Sequence, residues 1–447
     1  MSNYKMKMFV SFSCLLFYGL AVFIDNSTIA EMIPRNIVSM AKKGDITLIV
    51  EKATQTLFIY KYDGTYNLEN KMKCSTGKLT GRKNKSGDQK TPEGVYFFTG
   101  RYFEKDLSPV YGAGAFPVDY PNQIDKEVGR TGYSIWLHGT DKILKPRDSN
   151  GCIALENLNI KKIEDRISLD YTPIVFLNRI EYVDVKQNVE SINAINNLLS
   201  DWGQSLQTNT YHKYLSHYSP DYVPDISWWS KWQKLKKTVD SNFEIKIKEK
   251  SIYRDGDLYV VLFEELIEFE TIQRRLGIKK LYISVEDGAY KIRGEKYKFI
   301  HSAEDKNKKK PQDGEHFLAT VVKLSNDFEI LKIERINNDL KNVVEKWVED
   351  WGTGNIDEYA KFYSPDFYSS GMDKVQWVDR KKYLNKTYKY IDVKISNLSF
   401  KHENEKILVK FQQQYESSGY SAEGSKVLVL VNEDKRWKII QEIWKKS

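Results

Sequence analysis

One histidine and one cysteine in the N-terminal half of the sequence can together perform covalent chemistry. His138 lies in the segment Trp136-Leu-His-Gly-Thr140, and Cys152 follows in Ser149-Asn-Gly-Cys-Ile-Ala-Leu155. A thiol attacks a carbonyl carbon after it loses its proton, and a nearby imidazole accepts that proton near neutral pH. The two residue types therefore predict a reactive Cys/His⁺ pair. A buried structural cysteine and a hydrogen-bonded histidine explain the same residues equally well.

The segments around this pair predict a strand followed by a loop. Tyr133-Ser-Ile-Trp-Leu137 is rich in β-branched and aromatic residues, which favour a strand that ends at the histidine. Residues 142–148 are polar and contain a proline, which indicates a loop. Gly139 and Gly151 lie next to the two reactive residues, and a backbone without Cβ can approach a substrate closely. Backbone amides near Gly151 are therefore candidates for an oxyanion hole.

A zinc site is a third interpretation of these residues, and it lacks ligands. Structural zinc is held by four protein ligands and catalytic zinc by three. Apart from the pair, the region offers only Cys74 and scattered carboxylates, without CxxC or HExxH spacing. The sequence also contains no P-loop and no dinucleotide-binding glycine motif. We therefore expect neither a metal nor another cofactor.

The motifs around the pair resemble the catalytic domain of L,D-transpeptidases of the YkuD type. His-Gly-Thr followed by Ser-x-Gly-Cys-Ile-x-Leu is similar to that family's signature, and the similarity extends from Asp45 to Asn178. The resemblance implies a mostly β catalytic domain over residues 45–178. The further matching segments are Ile46-Thr-Leu-Ile-Val50, Gln55-Thr-Leu-Phe-Ile-Tyr60, Cys74-Ser-Thr-Gly-Lys78 and Thr91-Pro-Glu-Gly-Val-Tyr96.

The resemblance also implies roles for individual residues. Cys152 would be the acylated nucleophile, His138 the general base, and the backbone at Gly139 would orient the imidazole. Members of the family attack the amide between the third residue of a peptidoglycan stem peptide, usually a diamino acid, and the following D-alanine. D-Alanine leaves, and an amine or water resolves the thioester. The expected function is an L,D-transpeptidase, with an L,D-carboxypeptidase and a wall-binding scaffold as alternatives.

Two residues depart from the commonest pattern of the family. Asn150 precedes the Gly-Cys pair where many members have histidine, and Ala154 follows the cysteine by two residues where many have arginine. Cys-x-Ala resembles a branch that includes cell-shape-determining L,D-carboxypeptidases. Ser149, Asn150 and Gly151 are expected to bind substrate or the oxyanion, and Arg147 is a candidate to replace the missing guanidinium.

The C-terminal part of the sequence contains a repeat of domain size. Three segments recur in the same order, separated by 145 to 149 residues, which makes chance unlikely. A period of this length indicates two copies of a domain. The pairs are Asp201-Trp-Gly203 with Asp350-Trp-Gly352, Tyr218-Ser-Pro-Asp-Tyr222 with Tyr363-Ser-Pro-Asp-Phe367, and Asp287-Gly-Ala-Tyr-Lys-Ile292 with Asp434-Lys-Arg-Trp-Lys-Ile439.

Each copy opens with a helical pattern and closes with strand-like runs, which resembles the α+β cone of nuclear transport factor 2-like (NTF2-like) domains. The copies are predicted over residues 189–300 and 338–447, with a charged linker over 301–337. His212, His217 and His402 share no repeat position, so we expect no second active site. Trp228, Trp229 and Trp232 could stack on glycan sugars, but their spacing favours helix core.

The N-terminus predicts export. Lys5 and Lys7 precede the uncharged run Met8–Ile24, and Thr28-Ile-Ala30 offers a small-residue cleavage site. Residues 1–30 are therefore a signal peptide or, if uncleaved, a membrane anchor, and the expected location is the periplasm or cell wall. Expected partners are peptidoglycan stem peptides and, through the repeats, other wall proteins or a second copy. The net charge of +8 is modest for 447 residues, and we expect no nucleic-acid partner.

Overall fold

A computed structural model describes residues 31–237, 243–269, 272–299 and 313–447. The predicted signal peptide or anchor, residues 1–30, lies outside the described residues, as do residues 301–312 of the predicted linker. Among the described helices, none combines the length and the apolar character that a membrane crossing requires.

The N-terminal part of the chain is mostly β, as predicted. The expected opening hairpin is present as the antiparallel strands Ile46–Glu51 and Thr56–Tyr62. The strand that ends at the histidine covers Trp136–His138. The elements are β1 (Met32–Pro34), β2 (Ile37–Ser39), β3 (Ile46–Glu51), β4 (Thr56–Tyr62), β5 (Tyr66–Lys73), β6 (Gly94–Phe97), β7 (Tyr102–Phe103), β8 (Gly114–Pro117), α1 (Gln123–Glu127), β9 (Trp136–His138), β10 (Ile153–Ala154), α2 (Asn157–Ile163), β11 (Pro173–Leu177) and β12 (Tyr182–Asp184).

Two sheets enclose the core of this catalytic domain. The larger has the strand order β5-β4-β3-β11-β6, and the smaller, which carries the histidine, has the order β10-β9-β8-β7. Leu48 and Ile174 of the larger sheet pack with Leu137 and Ile153 of the smaller, and all four side chains are fully buried. Because strands β9 and β10 flank this apolar core directly, the core fixes the backbone on which the reactive residues lie.

The two copies that follow share an order of elements, to which the second adds a short two-stranded hairpin. Helices come first, and a four-stranded run closes each copy, as expected for NTF2-like domains. The first copy contains α3 (Val189–Gln207), α4 (Tyr211–Ser216), α5 (Trp229–Lys236), β13 (Phe243–Asp255), β14 (Leu258–Phe269), β15 (Ile272–Glu286) and β16 (Ala289–Phe299). The second contains α6 (Asp313–Gly352), α7 (Ile356–Tyr359), β17 (Tyr368–Ser369), β18 (Met372–Asp373), α8 (Lys374–Thr387), β19 (Ile391–Glu403), β20 (Lys406–Ser417), β21 (Ser421–Glu433) and β22 (Arg436–Lys446).

A buried hydrogen bond recurs in both copies and sets their correspondence. The indole N–H of Trp202 donates to the hydroxyl of Tyr218 over 3.0 Å, and that of Trp347 donates to the hydroxyl of Tyr363 over 2.9 Å. Trp202 therefore corresponds to Trp347, whereas the Asp-Trp-Gly match had paired it with Trp351. The match was shifted by one helical turn, because Trp347 and Trp351 lie on the same face of α6.

Two segments bear on the other predictions for the repeats. Residues 313–337, which the sequence analysis assigned to the linker, are helical and form the first part of α6. The tryptophans at the start of α5 are buried, and Trp232 packs edge-on against Phe243 and Phe317 at centroid distances of 5.4 and 5.0 Å. The helix-core interpretation of this cluster is therefore confirmed, and these rings are not available for stacking on sugars.

The catalytic domain shares a second core with most of the first copy, and the two form one compact unit. Successive side chains of a strand point to opposite faces, so Val175 of β11 faces this second core while its neighbour Ile174 faces the first. Val260 and Leu262 of β14 cover the same face of the sheet. Strand β2, which precedes the catalytic domain, adds antiparallel to β13 at the edge of the copy's sheet.

Among the ion pairs that cross this contact, one is buried and another is exposed. Lys280 Nζ lies 2.9 Å from Asp119 Oδ2, with both side chains less than a tenth exposed, and also lies 3.6 Å from the centroid of the Phe97 ring. Lys298 Nζ lies 2.8 Å from Asp170 Oδ2, and its side chain is 44% exposed. Burial lowers the pKa of Lys280, and the Asp119 carboxylate opposes that shift.

The buried pair should contribute far more to stability than the exposed one. Lys280→Met leaves the Asp119 carboxylate buried without its cation, which costs about 3–5 kcal/mol in the free energy of unfolding. The matched control Lys298→Met removes an exposed pair between the same two domains and should cost under about 1 kcal/mol. Urea denaturation of both variants measures the difference. Equal losses would contradict the assignment of the Lys280 pair as the stronger contact.

Candidate active site

The parallel pairing of two short strands brings the reactive residues together. Ala154 of β10 lies opposite His138 of β9. Cys152 directly precedes β10, so the loop between the two strands returns it to the side of the strand that carries the histidine. Both residues line one cleft of about 360 Å³. The cleft is lined by Ser75, Lys78, Val110, Tyr111, His138, Thr140, Lys142, Ile143, Leu144, Lys145, Asp148, Ser149, Asn150, Cys152 and Ala154.

The imidazole of His138 is held in one orientation. Its Nδ1 lies 2.5 Å from the carbonyl oxygen of Gly139, and its ring meets that of Tyr111 edge-on at 5.1 Å. A carbonyl oxygen only accepts, so Nδ1 carries the hydrogen and Nε2 keeps its lone pair. Burial lowers the pKa of His138, opposed by the Gly139 carbonyl. The ring is therefore a neutral base, oriented by the Gly139 backbone in the way the resemblance implied.

The environment of the Cys152 thiol also favours its uncharged form. Its Sγ donates to the carbonyl oxygen of Ser134 over 3.3 Å. Burial raises the pKa of the Cys152 thiol, and the Trp136 backbone N–H and the Lys83 ammonium act in the opposite direction without reversing it. Burial thus disfavours the charged form of both groups, which argues against the expected resting Cys/His⁺ pair and for a thiol beside a neutral imidazole.

The backbone around the nucleophile narrows the choice of oxyanion donor. The amide of Gly151 donates to Ser149 Oγ over 3.1 Å, and that hydroxyl donates to the carbonyl of Cys152 over 2.6 Å. Within the described part of the chain the amide of Cys152 has no partner, so it is free to donate to a developing oxyanion. Ser149 therefore shapes the turn, and Asn150 is exposed at the edge of the cleft.

Gly151 has a backbone conformation that excludes other residues. Its φ is +131°, and a Cβ at this position would lie 2.8 Å from the carbonyl oxygen of Lys90. The hydroxyl of Thr91 donates to the Gly151 carbonyl over 2.9 Å and accepts from the amide of Gly77 over 2.9 Å. The Thr-Pro-Glu-Gly segment therefore supports the turn before the nucleophile. The sequence indicated the motif without indicating this contact.

Gln55 is a residue of the site that sequence reasoning missed. Its side-chain oxygen accepts from the amides of Thr76 and Arg147 over 3.0 and 2.8 Å. Its side-chain nitrogen donates to the Lys52 carbonyl and the Thr76 hydroxyl, each over 2.7 Å. One buried amide thus joins the opening hairpin to the loop that carries the nucleophile. Gln55 belongs to a motif noted above, but its reach to position 147 depends on the tertiary fold.

The structure does not bring the Arg147 side chain to the cleft. Its guanidinium Nη2 donates to the carbonyl of Lys52 over 3.2 Å, and Arg147 is not among the lining residues. Its φ is +52°, in the left-handed region. Arg147 therefore holds the loop in shape, and the position beside His138 that lacks arginine is lined by the small side chain of Ala154.

The remaining candidate residues do not converge on a second site. His212 lies in α4 and His217 directly follows that helix. His402 lies on β19, where its Nε2 is 2.8 Å from Asn337 Oδ1. Cys74 is buried and free, and burial raises the pKa of its thiol to about 12. Among the described residues, no group of three or more histidine, cysteine or acidic side chains is arranged to hold a metal ion.

The fold and the cleft define a class: a mostly β domain with a cysteine and a histidine in one cleft, followed by two related α+β copies. Comparison with protein families makes the class specific. Residues 45–176 match the L,D-transpeptidase catalytic domain, and residues 339–443 match the Cds6 C-terminal NTF2-like domain. The chain therefore carries the catalytic domain of the peptidoglycan-modifying L,D-transpeptidase family, as the sequence motifs predicted.

The solved structures that match this chain include one from Bdellovibrio bacteriovorus and one from Campylobacter jejuni. Bd1075 from Bdellovibrio bacteriovorus is 20% identical, with 93% of this chain and 99% of that chain covered and a TM-score of 0.31. The helical cell shape determining protein Pgp2 from Campylobacter jejuni is 27% identical, with 59% of this chain and 95% of that chain covered and a TM-score of 0.46. None of the curated proteins matches the chain.

The neutral resting pair predicts how alkylation of Cys152 depends on pH. Because burial raises the pKa of the Cys152 thiol above its ordinary range, the rate of reaction with iodoacetamide should keep climbing in alkaline solution, without a plateau at neutral pH. Peptide mass spectrometry at each pH follows Cys152, and buried Cys74 serves as an internal control that stays unmodified. A rate that is already constant between pH 6 and 8 would indicate a resting thiolate and contradict the assignment.

Gln55→Ala should loosen the nucleophile loop and slow turnover. A displacement of about 1 Å at a reacting group can cost up to ~100-fold, so we expect kcat/KM for release of D-alanine from a tetrapeptide muropeptide to fall ~10- to 100-fold. Gln89→Ala is the matched control. Gln89 also has a positive φ, but it is exposed and its side chain has no partner in the described part of the domain. Equal rates for the two variants would refute the positioning role.

Proposed function

We propose that this protein is an exported peptidoglycan-modifying cysteine acyltransferase of the L,D-transpeptidase type. It cleaves the bond between the third-position diamino acid and D-alanine of a tetrapeptide stem and transfers the acyl group to an amine. The observation that carries the proposal is the arrangement in one cleft of the Cys152 thiol, the His138 imidazole with its free Nε2, and the unpartnered Cys152 amide.

The proposed acylation begins with a proton transfer. As Cys152 Sγ attacks the carbonyl carbon of the scissile amide, His138 Nε2 accepts the thiol proton. The carbonyl oxygen becomes an oxyanion, and the Cys152 N–H donates to it. The tetrahedral intermediate then collapses, the C–N bond breaks, and the imidazolium returns the proton to the departing amine of D-alanine. The product is a thioester between Cys152 and the diamino acid, and no charge is left on His138.

A second nucleophile then resolves the thioester. The neutral imidazole takes a proton from the acceptor, whose attack on the thioester carbon regenerates the thiol. An amine from another stem gives a cross-link, which is the transpeptidase reaction. Water gives a tripeptide, which is the L,D-carboxypeptidase reaction, and this second candidate is favoured by Ala154 at the position where many transpeptidases carry arginine. A wall-binding scaffold remains the non-enzymatic alternative.

The proposed location and partners follow from the substrate. Peptidoglycan lies outside the cytoplasm, and the basic and apolar N-terminal segment has the form of a signal peptide or anchor. We place the enzyme in the periplasm or cell wall, bound to stem peptides, with a role in wall biogenesis and cell shape. The two NTF2-like domains are candidates to position substrate or to bind other wall proteins or a second copy.

Replacing the nucleophile tests the chemistry directly. Cys152→Ala should abolish D-alanine release from tetrapeptide muropeptides, because no thioester can form, while the unfolding transition stays unchanged. Exposure of the wild type to a carbapenem should add one adduct on Cys152 by mass spectrometry. The scaffold alternative predicts neither turnover nor adduct.

The products of the wild-type digest separate the two reactions. Tripeptide alone identifies a carboxypeptidase, and a 3-3 linked dimer identifies a transpeptidase. Release of D-alanine by Cys152→Ala at the wild-type rate would rule out the mechanism.

A further inference from the structure

Three lysines line the catalytic cleft without a partner. Lys78 follows the strand end that pairs with the nucleophile turn, and Lys142 and Lys145 lie on the loop before Cys152. Each is exposed, and within the described residues none forms a hydrogen bond, an ion pair or a ring contact through its side chain. Asp148 is the one acidic side chain among the lining residues. The cleft is therefore strongly cationic at neutral pH.

Several other cations of this domain are held by acidic side chains. Lys52 is held by Glu93 over 2.7 Å, Lys83 by Asp88 over 2.7 Å, and Arg82 by Asp255 over 2.6 Å. The lysines of the cleft differ from these because no acid lies close enough to pair with them. A like-signed cluster around a narrow site raises the local concentration of an anionic ligand.

Arg147, the candidate to replace the arginine that many family members carry, does not line the cleft. The Arg147 guanidinium donates to the Lys52 carbonyl, and Ala154 contributes only a methyl group beside His138. The wall of the cleft therefore has no fixed, bidentate guanidinium for a carboxylate. Flexible lysine side chains are the cations that remain within reach of a bound peptide.

We propose that Lys78, Lys142 and Lys145 form the carboxylate-recognition part of the donor site and select anionic stem peptides. The ligand class is a peptide whose carboxyl groups, other than that of the departing D-alanine, are free and not amidated. The inference rests on the proposed function, which supplies the stem peptide as donor. Because the three ammonium groups are exposed, the selection acts through their combined electrostatic field and is weakened by salt.

A comparison of two donors and two variants tests the selection. The donors are a tetrapeptide muropeptide with free carboxyl groups and the same compound with its side carboxyls amidated. Wild type should prefer the free form in kcat/KM by about tenfold at low salt. The triple variant Lys78→Gln/Lys142→Gln/Lys145→Gln should lose this preference by losing activity on the free donor alone. Lys162→Gln removes an exposed lysine on α2 that does not line the cleft and should keep the preference.

The cleft can also be tested without any muropeptide. Iodoacetate and iodoacetamide alkylate the same thiolate but differ in charge, so a cationic cleft favours the anionic reagent. The triple variant should react about tenfold more slowly than wild type with iodoacetate and at an unchanged rate with iodoacetamide, measured at Cys152 by mass spectrometry. The Lys162→Gln control should match wild type with both reagents.

The outcomes separate this inference from the proposed function. If the alkylation rates follow charge but neither donor is turned over, the cationic site stands and the proposed reaction fails. If both donors are turned over equally and the triple variant changes neither ratio, the reaction stands and the lysines do not select the donor. A loss of activity on both donors to the same extent would indicate a structural role for the lysines and overturn the inference.

Discussion

The parallel pairing of β9 with β10 is the constraint on which the site depends. Only two residue pairs make up this ladder, yet they bring the segment of Cys152 next to the strand that carries His138. Two residues cannot hold such a register alone. Leu137 and Ile153 anchor it by pointing into the core between the two sheets, so the apolar packing and the catalytic geometry are set by the same strands.

Hydrogen bonds between buried side chains and the backbone then hold the loop between these strands. Gln55 ties the opening hairpin to Arg147, and Thr91 ties the Thr-Pro-Glu-Gly segment to Gly151. The side chains of Gln55 and Thr91 are themselves buried. Leaving a buried polar group without its hydrogen-bond partner costs folding free energy, so these contacts are strongly maintained. The turn before the nucleophile is therefore rigid before substrate arrives, which is what an oxyanion donor and a near-attack thiol require.

Burial also decides the charge state of the pair. The same packing that orders His138 and Cys152 removes them from water and disfavours the ion pair. In the proposed mechanism, proton transfer from the thiol to His138 therefore accompanies attack on the carbonyl. The two copies that follow share their helix-to-sheet order and the tryptophan-to-tyrosine hydrogen bond. The first copy shares a core with the catalytic domain, where its sheet face buries Val260 and Leu262.

Local sequence determined the parts of this protein that depend on residue type and short spacing. The β-branched runs at β3 and β4, the helical periodicity around Trp347, and the motifs around His138 and Cys152 predicted the strands, the repeat and the family. Only the tertiary structure decided which groups meet. The contact of Gln55 with position 147, the diversion of Arg147 to Lys52 and the register of Trp202 with Trp347 join residues distant in sequence. Burial is a property of the packed chain, so the neutral state of the pair could not be derived from the sequence, where a cysteine and a histidine alone favoured an ion pair.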